Sequence, residues 1–183
     1  RYVDRDGALA AVAELARSRT GLRLVGVDGF AGAGKSTLAA ELADAVPGAV
    51  VVSVDDFAAA SVPEWDWARL RRELLVPLAQ GRAARYQVWG WDQRVDGKWV
   101  DVPPHSVVII EGVSATRSEL AAPWDLTIWV DAPRDVRLAR GIQRDGEGMR
   151  AVWEQLWIPS EERYAAREHP RERVDLVVNG ADG

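Results

Sequence analysis

Apolar and polar positions change period several times along the 183-residue chain, and each change marks an element. Between Gly7 and Arg19, Leu9, Val12, Ala13, Leu15 and Ala16 recur at helical spacing, with Gly21 as a stop. "LRLVGVD" (Leu22 to Asp28) is a short apolar run entering a glycine-rich turn, which predicts a buried strand. A helix is expected from Lys35 to Ala45, ended by Pro47-Gly48. "AVVVSVDDF" predicts a second strand over Ala49 to Val54, with two acids at its carboxyl end. Ser61 with Glu64 fits a capping box for a helix reaching Gln80, and Gly81 stops it. Residues 85–101 alternate aromatic and polar positions and contain Asp96-Gly97, a hairpin-turn signal.

Further strands are predicted over Ser106 to Ile110, ending in Glu111, over Asp125 to Val130, and in the closing "VDLVVNG". Thr116 with Glu119 suggests a short capped helix. Pro133 opens a helix running to Arg144, and another covers residues 150–168. Strands alternating with helices predict an α/β fold in three layers, a five-stranded parallel sheet with helices on both faces and an inserted hairpin. No repeat or long linker interrupts the pattern, so residues 1–183 read as one domain.

Composition narrows the function. A net charge of −5 argues against nucleic acid or an anionic membrane as the main partner. The chain has no cysteine and only His105 and His169, which excludes thiolate chemistry and makes a multi-histidine metal centre an unattractive reading. No apolar run reaches the ~20 residues of a membrane span, and the expectation is a cytoplasmic protein. Nine tryptophans are present; five, Trp65, Trp67, Trp89, Trp91 and Trp99, fall between residues 65 and 99. Flat aromatic walls there would stack on a planar or apolar ligand, whereas the plainer reading packs a hairpin on the sheet.

The chemistry concentrates in a few places. Gly29, Phe30, Ala31, Gly32, Ala33, Gly34, Lys35 and Ser36 fit G-x-x-x-x-G-K-[ST], preceded by an apolar strand and followed by Thr37 in a helix. Glycines let backbone N–H groups close around phosphate oxygens, Lys35 supplies a cation, and Ser36 a hydroxyl for Mg²⁺. Asp55-Asp56 lie outside the carboxyl end of the next strand, where ligands collect in parallel sheets. A carboxylate there could accept a proton from an attacking hydroxyl or hold Mg²⁺ through water. Glu111 has the same position one strand over. Arg137, Arg140 and Arg144 fall in a stripe of roughly 60° on their helix, suiting a lid over polyphosphate or a solvated basic face.

Four stretches together resemble the uridine kinase-like branch of the small P-loop kinases, over Leu22 to Val178. They are "VVSVDDF", "VVIIEGV", "DVRLARGIQRDG" and "ERYAAREHPRERVDLVVNG". The resemblance implies a P-loop NTPase fold and ATP- and Mg²⁺-dependent phosphorylation of a small molecule's hydroxyl, a nucleoside such as uridine or cytidine by family default. It implies Asp55 as catalytic base, Glu111 with Ser36 and Asp55 around Mg²⁺, and Lys35, Ser36 and Thr37 on the phosphates. Arg140 and Arg144 become lid arginines within a lid at 133–150. Phe57, Tyr86, Trp89, Trp91 and Asp92 would border the acceptor, in an insertion at 58–101. The chain departs from that pattern in several places, three of which bear on the site. Gly141 stands where a second arginine is expected, "GEGMR" leaves only Arg150 in the lid turn, and Gln87 replaces an aspartate expected to grip a ribose. The expected partner is a hydroxyl-bearing small molecule, without nucleic acid or membrane, and homo-oligomerisation is left open. The rival readings are an ATP-sensing module acting through a protein partner, or a degenerate enzyme of the same fold.

Overall fold

The structure, a computed structural model, describes residues 1–59, 65–90 and 95–181. Six parallel strands form the sheet, in the order β1-β8-β7-β2-β6-β3. They are β1 (Tyr2–Val3), β2 (Arg23–Gly29), β3 (Val50–Ser53), β6 (Val107–Glu111), β7 (Leu126–Asp131) and β8 (Leu176–Asn179). An antiparallel pair, β4 (Ala84–Gly90) and β5 (Val95–Val102), stands apart from it. The helices are α1 (Arg5–Ser18), α2 (Lys35–Asp44), α3 (residues 67–79), α4 (Arg134–Asp145), α5 (residues 150–168) and α6 (Pro170–Arg173). Both α3 and α5 contain a π turn, at Arg71–Leu75 and Trp153–Trp157. No helix among the described residues is long and apolar enough to cross a membrane.

The three layers follow from alternation along the strands. Val25, Val27, Ile109, Ile128 and Val178 face Ala8 and Val12 of α1 and Leu38, Ala39 and Leu42 of α2. The intervening Leu24, Val52, Val108 and Ile110 face Leu70, Leu74 and Leu78 of α3 and Tyr86 of β4. Farther along that second face, Trp129 and Val177 pack with Tyr164 of α5. Because β2 is central and every sheet strand is parallel, Gly29, Ser53, Glu111 and Asp131 end on one rim. That rim, where strand order reverses around β2, is the ligand-collecting edge of such sheets.

Four sequence expectations are corrected. The sheet has six strands rather than five, because two-residue β1 pairs with β8 (Tyr2↔Val177, Val3↔Val178) and is too short to show a period. The hairpin does not turn at Asp96-Gly97, since both lie within β5; residues 91–94 lie outside the described residues. Helix α3 begins after Asp66, whose Oδ1 accepts the Arg69 N–H at 2.9 Å; Ser61 and Glu64 lie outside the described residues. Thr116 caps no helix, since its hydroxyl donates to buried Asp28 and only a 3-10 turn forms at Ser118–Leu120.

Candidate active site

The loop from Gly29 to Gly34 joins β2 to α2 and is shaped by left-handed glycines. Gly34 (φ 98°) is the N-cap of α2 and brings no side chain, leaving the first amides of the helix open toward the rim. Gly32 (φ 76°) runs so close to α4 that an added Cβ would sit 2.5 Å from the Arg137 carbonyl oxygen. Ala33 points its methyl into the core, so only its backbone is available to a ligand. Lys35 is 7% exposed, and its Nζ donates to the Phe30 carbonyl at 2.9 Å. Burial pushes its pKa down, while the charges of Glu111, Glu161, Asp28 and Asp55 oppose that shift. Ser36 donates to Oε2 of Glu111 at 3.0 Å, and Thr37 beside it is exposed.

β3 and β6 bring the acids to this place, with Ser53 in register with Glu111. Burial pushes the Glu111 carboxyl up from its ordinary value, although the charge of Lys35 and hydrogen bonds from Ser53 and Ser36 counteract it. No group of three His, Cys, Asp or Glu side chains able to hold a metal occurs among the described residues. The Ser36 hydroxyl and Glu111 carboxylate nevertheless make an all-oxygen pair that fits Mg²⁺, which takes few protein ligands and completes its shell with water and phosphate oxygens.

The Asp55-Asp56 pair sits in a 3-10 turn, Val54–Phe57, and its two carboxylates diverge. Exposed Asp55 faces the cradle, near enough for its charge to act on Lys35, Glu111 and Arg144. Its Oδ1 accepts the Trp65 indole N–H at 2.7 Å. Asp56 turns to the hairpin and accepts the Tyr86 hydroxyl at 2.9 Å. Burial is the main cause pushing the Asp56 carboxyl up, and burial beside this carboxylate pushes the Tyr86 phenol up as well.

The expected acceptor border is redistributed. Phe57 is fully buried, packed on Tyr86 (centroids 4.7 Å apart) with the Arg69 guanidinium 5.0 Å from its ring centroid, so its ring is enclosed by protein. Tyr86 is likewise buried and Trp89 nearly so; Trp91, Asp92 and Arg94 lie outside the described residues. The remaining tryptophans of that stretch do not form one wall. Trp65 is at the carboxylate, Trp67 is buried under Arg117, and Trp99 is 54% exposed beneath Arg85.

The arginine stripe divides in the same way. Arg137 is 3% exposed, lies 4.4 Å over the Phe30 ring and pairs with Glu161 at 3.4 Å. It braces the loop from outside and does not face the cleft. Arg140 donates to the carbonyls of Gly32 (3.4 Å), Gly180 (2.7 Å) and Ala181 (3.0 Å). Arg144 pairs with Asp145 at 2.7 Å and lies over Trp153. Gly141 has a steric cause: a Cβ there would meet the buried Trp153 ring at 2.4 Å.

Three positions absent from the sequence reading of the site organise it. Asp28, fully buried, accepts from the Gly29, Ser114 and Thr116 N–H groups and from the Thr116 and Tyr164 hydroxyls. A lone acid inside an otherwise apolar strand was its signal. Glu161 accepts the Ala31 N–H at 3.1 Å, so that amide, expected to serve phosphate, is engaged within the protein. Arg69 joins three segments, donating to the carbonyls of Asp56 (3.2 Å), Ala58 (3.4 Å) and Gln87.

Comparison with known proteins agrees with this geometry. The model of the phosphoribulokinase / uridine kinase family matches residues 54–166, more than half of the chain. Among solved structures, a possible uridine kinase from Bacillus stearothermophilus superposes with a TM-score of 0.73 at 21% identity, covering 95% of this chain and 96% of that one. A candidate fructose transport system kinase from Silicibacter sp. TM1040 gives a TM-score of 0.70 at 23% identity, covering 91% and 98%. At these identities the likeness is one of fold. No curated protein matches the chain. With a cradle, strand-end acids and an arginine-bearing helix on one P-loop scaffold, the chain belongs to the phosphoribulokinase / uridine kinase family.

Proposed function

We propose that the protein transfers the γ-phosphate of ATP to a hydroxyl group of a small molecule, with nucleosides such as uridine or cytidine first among the acceptors to test. The observation that carries this reading is the convergence of Lys35, the Ser36–Glu111 pair and Asp55 on one sheet rim. Lys35, released from the Phe30 carbonyl, meets the phosphate oxygens. Ser36 and Glu111 would hold Mg²⁺, which would supply positive charge to offset that of the polyphosphate.

Asp55 takes the proton of the acceptor hydroxyl as its oxygen bonds to the γ-phosphorus and the β–γ bridging bond breaks, so ADP leaves. The Trp65 indole occupies Oδ1 of that carboxylate and leaves Oδ2 for the acceptor. Arg140 and Arg144, in a lid at 133–150, stand on the polyphosphate side, and the stretch 58–101 borders the acceptor. Incubation with labelled ATP and a panel of nucleosides and sugars tests the reading. One phosphorylated product is expected. Lys35→Ala and Asp55→Asn should each lower turnover by about 10²–10³-fold, with ATP affinity falling mainly in the lysine variant. Full transfer by Asp55→Asn removes Asp55 from the base role, and no product from any acceptor returns the protein to the ATP-sensing class.

A further inference from the structure

Helix α5 carries two side chains one turn apart that reach the strand and loop forming the cradle. Tyr164 donates its hydroxyl to Oδ2 of Asp28 at 2.7 Å, directly before Gly29. Glu161, 7% exposed, accepts both the Ala31 N–H (3.1 Å) and the Arg137 guanidinium (3.4 Å) through the same oxygen. Helix α4 holds the loop residues on either side of Ala31. Arg137 covers the Phe30 ring, whose edge meets Trp129 at 5.1 Å, and Arg140 donates to the Gly32 carbonyl. Three consecutive loop residues are gripped from one side, each by a different side chain.

A carboxylate is an expensive choice for that place. It is buried, its charge acts on Lys35, and it opposes the charge of any polyphosphate entering the cradle. An apolar side chain would fill the same space at lower cost, so packing alone does not explain Glu161. What a carboxylate adds is an acceptor for one backbone N–H together with a partner for Arg137. We infer that Glu161 is a positioning residue for the phosphate-binding loop. By holding Ala31 it keeps the outer limb of the loop turned away from the cleft, so that the amides of Gly34, Lys35 and Ser36 converge on the phosphates. By pairing with Arg137 it makes that shape depend on the seating of α4. This role rests on the kinase reading above and extends it to a residue that touches neither substrate.

Isothermal titration of the full chain with inorganic tripolyphosphate, alongside Glu161→Leu, Glu161→Gln and Glu161→Asp, tests it. Glu161→Leu should bind about tenfold more weakly, equivalent to about 1.4 kcal/mol. Glu161→Gln should stay within about threefold of wild type, because its carbonyl oxygen accepts the same N–H. Glu161→Asp keeps the charge but loses the reach to Ala31, and should fall with the leucine variant; it decides the matter if leucine does not fold. In turnover the weakened variants should raise KM for ATP by a similar factor and leave KM for the acceptor unchanged. Wild-type affinity in either the leucine or the aspartate variant overturns the inference. A wild-type chain that binds tripolyphosphate but phosphorylates no acceptor overturns the kinase reading alone, and one that does not bind it overturns both.

Discussion

Lys35 and Glu111 are displaced in opposite directions by one cause, their burial where α2 begins and β6 ends. A carboxyl whose folded pKa is raised binds more protons in the native than in the unfolded state. Stability is therefore lost as pH climbs from the ordinary carboxylate range, 4.5 for Glu111, through the raised native value. Lys35 has the reverse sign: its cost is present below its lowered native pKa and is relieved as pH rises toward 10.5. Glu111→Gln should accordingly melt higher than wild type without nucleotide, by a margin that widens as pH rises from 4.5, while its turnover falls by about tenfold or more. Thermal melts across that pH range check it; a constant or reversed margin contradicts the assignment. Such residues were legible from sequence because the cradle pattern and the strand-end acids are local. Asp28 and Glu161 were not, since what makes them important lies far along the chain, at Tyr164 and at Ala31.

At the level of elements, the seam between α4 and α5 explains a departure from the family pattern. Trp153 lies against the α4 backbone at Gly141 and donates its indole N–H to Asp145 at 2.9 Å, with Trp157 edge-on at 5.2 Å. Restoring the family residue by Gly141→Arg should lower Tm by about 5–10 °C, the effect of 2–3 kcal/mol of overpacking in a chain this size. Differential scanning calorimetry measures it, and an unchanged Tm would show that the ring can move aside. The 3.6 period placed both helices, yet could not show that one face of α4 meets a ring from α5. The hairpin illustrates the same limit. Alternation revealed two strands, but the register shift between Gln87 and Trp89 decides which aromatic faces inward, and no local signal encodes it.

Taken as a whole, the molecule converges on a buried carboxylate. Asp28 receives five hydrogen bonds from β2, from the loop after β6 and from α5, closing the sheet over its second layer. Asn in its place can accept at one oxygen only and turns an amide donor toward other donors. Asp28→Asn should cost about 3–5 kcal/mol and lower Tm by about 10 °C or more, as read by thermal denaturation. The alternation of strands and helices sufficed to predict a three-layer parallel sheet. It could not predict β1, which exists only because β8 offers an edge to pair with.

The seating of the hairpin has one more effect. Tyr86 of β4 grips Asp56, and Arg69 binds the backbone of both Asp56 and Gln87, so the turn presenting Asp55 rests on β4. On the proposed reading, substrate preference and proton abstraction would share one foundation. A β4–β5 cassette transplanted from a relative would then shift the neighbouring carboxylate as well, so altered selectivity should arrive by changes in the turn and the hairpin together, and not by exchange of either one alone.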